Sequence, residues 1–187
     1  MIRFFLAFFA LTATFATAAP VPYALEASGS TVGFIYTLGD DDVRGTMPVL
    51  TADLALDFDD VSKSQVNVKV DVTRTKAGFA FATEGIKSHE LLHAAAHPQI
   101  TFTSTAFRKI ARGYAVDGRL TVRGVTKTVT LTGRLTRAPG TSKGDHSRLV
   151  VFLNGAISRS AFGADGYPKF VNDKIVLDIK AAMKRVD

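Results

Sequence analysis

Residues 66–73 read Val-Asn-Val-Lys-Val-Asp-Val-Thr, and this strict alternation of apolar and polar residues decides the fold class. Successive side chains of a β-strand point to opposite faces, so the alternation predicts a strand with one buried face and one solvated face. Burial on one face is typical of antiparallel sheets. The middle of the chain therefore contains an antiparallel strand whose valines face a core.

The same alternation recurs through most of the chain, in seven further stretches separated by turn-forming residues. About eight such strands in one domain predict an all-β sandwich or a closed barrel, and closure removes exposed strand edges. The other predicted strands are 30–38, 54–58, 100–103, 114–122, 125–135, 149–157 and 175–179. The predicted turns are 39–42, 59–60, 117–118, 123–124, 139–140 and 165–168.

One stretch, residues 83–96, breaks the alternation because it is rich in Ala and Leu and poor in β-branched residues. It predicts a single short helix. Thr83 suits the N-cap and Glu84 the first turn. Pro98 ends the helix and leaves His97 just beyond it, since a residue before proline avoids the α conformation.

The composition fits one globular domain, with 187 residues of which 47% are hydrophobic and 21% charged. The absence of cysteine excludes a disulfide framework, a zinc ribbon and an iron–sulfur centre. The net charge of +6 raises the possibility of nucleic acid or an anionic membrane as a partner. The basic residues are scattered along strands without interleaved aromatic residues, so we expect a solvated basic surface and no nucleic acid, with weak attraction to anionic phospholipid as an alternative.

The first eighteen residues have the pattern of a secretory signal peptide. A positive start at 1–3 is followed by an apolar run at 4–16, which is too short to span a bilayer. Ala16-Thr17-Ala18 places small residues at the cleavage subsites, so we predict a cleaved signal peptide at 1–18 and a single domain at 19–187. Export without cysteine is typical of the bacterial periplasm, which is the predicted location.

The sharpest catalytic motif is His89-Glu90-Leu91-Leu92-His93. On a helix, two histidines at i and i+4 share a face and can chelate zinc, with the glutamate as general base. His97 could add a third imidazole, and a downstream Asp such as Asp117 could serve as a ligand. The motif thus keeps a zinc-dependent hydrolase as the alternative function. The other interpretations are adventitious or structural metal binding by the histidines, and three histidines on the solvent face of a short amphipathic helix.

Phosphate-binding glycine loops of the G-x-G-x-x-G or Walker type are absent from the sequence. The segment 159–163, Arg-Ser-Ala-Phe-Gly, follows a strand. Its arginine either bonds carbonyl groups in a bulged turn or has a functional role, which is to close one barrel mouth or to meet a polar head group. An eight-stranded barrel can be filled by side chains or hold a small ligand, so a structural or stress-related envelope protein with a solid core is a further alternative.

Several segments together resemble the YceI-like family of bacterial periplasmic lipid-binding proteins, in an order that covers nearly all of residues 22–182. The resemblance implies an extended, lipocalin-like barrel with a helix over one end, a polyisoprenoid chain in its tunnel and no catalytic zinc at the helix. The chain departs from the family pattern at Gly29, Ala161 and His97, where His, Asp and an aromatic residue are frequent. The matching segments are 30–34, 43–45, 87–92, 97–104, 118–127 and 159–163.

We therefore predict a non-enzymatic periplasmic carrier protein with an extended eight-stranded antiparallel lipocalin-like barrel and one short capping helix. Its ligand is a polyisoprenoid, an isoprenoid quinone or a similar lipid, with no metal and no other cofactor. Further predicted partners are a membrane surface or a membrane redox protein in transient contact, and the chain is a monomer or a homodimer. Strand parity argues for Phe34, Tyr36 and Phe102 in the binding site. The remaining predicted ligand-binding residues are Phe79, Phe81, Leu91, Leu92, Phe152, Phe162 and Arg159.

Overall fold

The computed structural model describes residues 19–186, which form eleven strands, one α-helix and three short 3-10 turns. The predicted signal peptide, 1–18, lies outside the described residues. No helix in the described part of the chain is long and apolar enough to cross a membrane. The elements are β1 (Val21–Leu25), β2 (Thr31–Leu38), β3 (Asp41–Met47), β4 (Val49–Leu56), β5 (Gln65–Asp71), β6 (Lys76–Ala77), α1 (Ala80–Lys87), β7 (Gln99–Ile110), β8 (Gly113–Val122), β9 (Val125–Arg137), β10 (Arg148–Ser158) and β11 (Lys174–Arg185), with 3-10 turns at Ala27–Gly29, Val61–Lys63 and Ser160–Phe162.

The strands close into an antiparallel barrel because β1 and β2 act as two halves of one bent strand. Both pair with β11, β2 through residues 176–180 and β1 through residues 183–185. The 3-10 turn at Ala27–Gly29 makes the bend between the two halves. In the same way, β3 and β4 are separated only by Pro48, β3 pairing with β2 and β4 with β1.

From β4 the sheet continues through β5, β7, β8, β9 and β10 back to β11, so eight barrel strands form a closed ring. The short strand β6 pairs with β3 where β5 has ended. Closure gives nearly every strand two partners, which satisfies the backbone hydrogen bonds and leaves little exposed edge. The predicted closed barrel with one short helix is confirmed.

Three clusters of buried apolar residues lie at different levels of the barrel. One surrounds Tyr23 and Leu149 at the end formed by β1 and β4. A second joins Phe34 and Tyr36 to Ala82 of α1. The third groups Leu120, Val122 and Phe162 near the 3-10 turn that follows β10. Apolar side chains are therefore concentrated on the inner wall at both ends of the barrel.

The helix is present, but the prediction of its position at 83–96 is wrong. It spans Ala80–Lys87, and Thr83 lies inside it with its hydroxyl accepting a hydrogen bond from the Ala77 amide at 2.9 Å. Residues 88–98, which we call the capping segment, form successive turns instead of helix. His93 has φ 49°, which a continuing helix does not allow. The Ala- and Leu-rich composition thus indicated the correct region of the chain, but the helix begins and ends earlier than predicted.

Candidate functional site: an apolar cavity along the barrel

The barrel interior contains a cavity of about 730 Å³. Its wall on β11 runs from Ile175 to Met183, eight residue steps apart. Eight steps correspond to about 27 Å along a strand, or about 20 Å along the barrel axis at the usual strand tilt. The volume lies in the upper half of the range of roughly 300–1,000 Å³ that is typical of small-molecule pockets. The cavity is therefore long enough to take an extended chain.

The wall of the cavity is overwhelmingly apolar because each strand contributes alternate residues to it. On β10 these are Val151, Leu153 and Ile157, and on β8 they include Val116 and Leu120. The effect of this surface is visible at Tyr36, whose pKa is raised by burial alone. A wall of this kind gives a ligand dispersion contacts and water exclusion, with few hydrogen-bonding partners in the middle of the barrel.

The helix end of the cavity is rimmed by exposed aromatic residues. Phe81 of α1 is 83% exposed and Phe170 is 65% exposed, yet both line the cavity, as does the exposed Tyr167. The carbonyl of Phe170 accepts a hydrogen bond from the Gly39 amide at 2.8 Å, which ties this rim to the β2–β3 turn. Exposed aromatic groups that continue into an apolar cavity are typical of the rim of a ligand-binding groove.

A buried arginine, Arg159, lines the cavity near this rim and is only 7% exposed. Its Nε donates to the Asn172 carbonyl at 3.0 Å and its Nη2 to the Val171 carbonyl at 2.7 Å. Its Nη1 donates to the Ala164 carbonyl. Arg159 thus bonds backbone carbonyl groups, as one of the two interpretations of segment 159–163 predicted. Desolvation by burial lowers the pKa of Arg159.

At the opposite end of the cavity, the wall includes a hydrogen-bonded loop around Asp57, which is 8% exposed. Its Oδ1 accepts hydrogen bonds from the amides of Asp59 and Asp60, at 3.0 and 2.7 Å. The amide of Asp57 donates to the Ser64 hydroxyl at 3.0 Å. The buried charged groups of the cavity wall therefore lie at its two ends.

The structure brings eight of the ten predicted ligand-binding residues to this cavity. These are Phe34, Tyr36, Phe81, Leu91, Leu92, Phe102, Phe162 and Arg159.

The other two require a correction, because Phe79 and Phe152 do not line the cavity. Phe152 lies between the inward positions 151 and 153 of β10. The Cζ atom of Arg134 lies over the Phe152 ring, 5.4 Å from the ring centroid. Phe79 is the N-cap of α1 and is half exposed. Strand parity would have excluded Phe152 from the interior.

The H-E-x-x-H residues are not on a helix, so the structural premise of a zinc hydrolase is wrong. They lie in the turns of the capping segment, where the rings of His89 and His93 are 4.5 Å apart and those of His93 and His97 are 5.7 Å apart. These are edge-on ring contacts. In residues 19–186 no group of three or more His, Cys, Asp or Glu side chains is arranged to hold a metal ion.

The role of the capping segment is to place Leu91 and Leu92 against the cavity. Arg123, in the turn between β8 and β9, fixes the segment by donating to the carbonyls of His89, at 2.7 Å, and Leu91. Leu91 is buried as a result. The leucines of the motif thus contribute to the cavity wall, whereas its histidines lie outside the cavity lining.

Several lining residues were not predicted from the sequence. Tyr114, Val116 and Leu120 alternate along a predicted strand, so parity alone could have found them. Tyr167 and Phe170 lie in a loop without periodicity, and no sequence signal indicated their place at the rim. Buried Asp57 likewise had no signal, because an aspartate beside a turn is ordinarily exposed.

Comparisons with known proteins agree with this architecture. A model of the YceI-like domain matches residues 23–183. Protein YceI of Salmonella arizonae is 30% identical over 188 residues, covering 100% of this chain and 92% of that relative. A UPF0312 protein of Yersinia enterocolitica is 30% identical over 150 residues, covering 80% of this chain and 72% of the relative.

Two solved structures share the fold. Burkholderia cenocepacia BcnA has a TM-score of 0.76 at 19% identity, covering 85% of this chain and 99% of its own. A Campylobacter jejuni YCEI protein has a TM-score of 0.61 at 18% identity, covering 100% and 99% of the two chains. At these identities the likeness shows the fold alone.

Proposed function

The chain belongs to the YceI-like family, and from that premise we propose that its barrel binds a long-chain isoprenoid lipid, a polyisoprenoid or an isoprenoid quinone, and carries it through the periplasm. The observation that carries the proposal is the elongated apolar cavity of about 730 Å³, which is rimmed at the helix end by exposed aromatic residues. The periplasmic location rests on the predicted signal peptide at 1–18.

The shape and chemistry of the cavity favour a chain-like ligand. Because the cavity is about 20 Å long, it fits an extended tail better than a compact molecule of the same volume. Each methylene moved from water into such a wall contributes about 0.8 kcal/mol. Because the wall offers few polar groups between its ends, the ligand gains affinity chiefly from tail burial.

The residues around the cavity support a binding role in preference to catalysis. Asp57 has its Oδ1 committed to backbone amides, and Arg159 donates to backbone carbonyls. Most carboxylates with a lowered pKa, such as Asp117 and Asp145, are held by hydrogen bonds outside the cavity lining. General acid–base work requires a titratable group within reach of the ligand.

The proposal is tested by titrating delipidated protein with an isoprenoid quinone and with a prenol of the same tail length, and counting bound ligands by native mass spectrometry. We expect saturable binding of one ligand per chain. Val68→Trp, on the inner face of β5, should block it, whereas the matched Lys69→Trp on the outer face should not. Absence of binding by both ligands would overturn the proposal.

A further inference from the structure

Arg159 combines features that a purely apolar tunnel does not require. It is a permanently charged side chain, 7% exposed, in the wall of an apolar cavity. Burying a charge is costly unless it is paired or hydrogen-bonded. Its three backbone acceptors, the carbonyls of Ala164, Val171 and Asn172, satisfy part of this requirement.

The guanidinium retains unused donor capacity. It has five N–H groups, and three of them make the hydrogen bonds to backbone carbonyls. In residues 19–186 no carboxylate forms an ion pair with Arg159 within 4.0 Å. Asp165 and Asp173 act on its charge from a greater distance. Two N–H groups therefore remain for an acceptor that the protein does not supply.

The position of Arg159 matches the polar end of an amphiphile. The loop that it clamps also carries Tyr167 and Phe170 of the rim, and Val171, whose carbonyl it binds, lines the cavity. A lipid whose tail points towards the Asp57 end would place its head group at this level. A head group near the opening also keeps part of its hydration while the tail is buried.

We propose that Arg159 binds the oxygen-bearing head group of the lipid, so that the cavity selects prenyl chains ending in a hydroxyl, carbonyl or phosphate over hydrocarbons of the same length. This inference rests on the proposed function, because it assumes a lipid in the cavity. It adds a specificity determinant at one end of a tunnel that otherwise selects only for an apolar chain. Hydrogen bonds to charged donors are shorter and stronger than neutral ones, which suits them to this selection.

The experiment measures the affinities of wild type, Arg159→Lys and Arg159→Gln for farnesol, farnesyl phosphate and the saturated hydrocarbon farnesane. We expect the glutamine variant to lose at least tenfold in affinity for both oxygen-bearing ligands and to change less than twofold for the hydrocarbon. The lysine variant, which keeps the charge but loses the fork of donors, should fall between wild type and glutamine. Comparing variants ligand by ligand cancels differences in the ligands' solubility.

Arg123→Gln is the matched control, because Arg123 also donates to two backbone carbonyls at this end of the barrel but does not line the cavity. If it alters binding, it should alter all three affinities by the same factor. An equal loss for all three ligands in Arg159→Gln would show that Arg159 is only a clamp, and would overturn the inference while the proposed function stands. Failure of every ligand to bind wild type would overturn both.

A measurement on wild type covers the case in which the Arg159 variants do not fold. The arginine Nε–H resonances are followed by NMR while each ligand is added. Farnesol and farnesyl phosphate should shift the Arg159 signal, and farnesane should leave it nearly in place. The same small shift with all three ligands would overturn the inference.

Discussion

At the scale of single residues, two aromatic side chains keep the lumen open by lying over glycines. A Cβ added to Gly45 would overlap the ring of Phe34, its partner across β2 and β3. A Cβ on Gly118 would overlap the ring of Phe102. Each ring therefore lies against the strand backbone of the wall, and the central space is left unfilled.

This arrangement predicts that Gly45→Ala destabilises the barrel and pushes Phe34 into the lumen. We expect a loss of about 1–3 kcal/mol in the free energy of unfolding, the usual cost of overpacking. Gly85→Ala is the control, since nothing lies within 4 Å of its added Cβ in α1, and it should be neutral or stabilising by up to about 1 kcal/mol. Urea unfolding measures both, and equal effects would contradict the role of Gly45.

The same residues show which side-chain positions the sequence predicts and which it does not. Alternation correctly predicts that Phe34 and Phe102 face inward. The prediction of a turn at Asp117-Gly118 is wrong, because both residues lie inside β8. Asp117 is in place to accept hydrogen bonds from Arg108 and Thr130 of the neighbouring strands. Gly118 makes room for the ring of Phe102. Both reasons are tertiary contacts, which a local turn signal does not contain.

Among the elements, the capping segment contains a histidine whose pKa differs between the folded and unfolded chain. Desolvation lowers the pKa of His93, and the charges of His89, His97 and Arg123 lower it further, while Glu90 opposes them. The unfolded chain takes up a proton at this histidine near pH 6.5, and the folded chain does so only at lower pH. The unfolded state thus binds more protons below about pH 6.5, so stability falls as the pH falls through that window.

We predict that the urea midpoint of the wild type decreases between about pH 7.5 and 5.5, above the range in which carboxylates titrate. His93→Gln removes the group that titrates and should show a shallower decrease over the same interval. Circular dichroism at several pH values measures the midpoints. An unchanged slope in His93→Gln would show that the capping segment does not sense pH through this residue.

The role of the aromatic rim can be tested at Phe81, because this exposed side chain lies at the opening of the cavity and contributes little to folding. Phe81→Ser should slow lipid uptake from vesicles several-fold and change stability by less than about 0.5 kcal/mol, as is usual for exposed positions. Leu50→Ser is the control, because Leu50 is also exposed, at 41%, and does not line the cavity. Stopped-flow fluorescence measures the uptake rates, and equal rates in both variants would refute a role for the rim.

Elements differ in how well the sequence predicts them. All eight predicted strands exist, since alternation on a half-buried strand is a local signal. The short strands β1 and β3 were not identified by alternation, because β1 contains Pro22 and β3 begins with two aspartates. The end of α1 was also missed, because the contact of Arg123 with the capping segment joins residues more than thirty positions apart.

At the scale of the whole molecule, the barrel has a stable wall around an incompletely filled interior. Protein cores are ordinarily close-packed, and inserting a large side chain into one is costly. The cavity of about 730 Å³ removes that penalty where the lumen is open. The alternation of the strands predicts the wall, but a filled and an open interior have the same alternation, so the sequence does not reveal the cavity.

If the interior is open, Val68→Trp should fold almost normally, although it replaces a small inward side chain by the largest one. Its free energy of unfolding should lie within about 1 kcal/mol of that of Lys69→Trp, which makes the same change of residue on the outer face. The chain has no native Trp, so the introduced residue also reports unfolding by fluorescence. A loss of roughly 3 kcal/mol or more would indicate a close-packed interior.

Native mass spectrometry of the protein purified from its own host, without organic solvent, shows whether the cavity holds an isoprenoid lipid. We expect a species heavier than the polypeptide by the mass of one lipid, and this lipid should be removed by organic extraction and fragment as a prenyl chain. A polypeptide that carries no added mass before extraction would contradict this expectation.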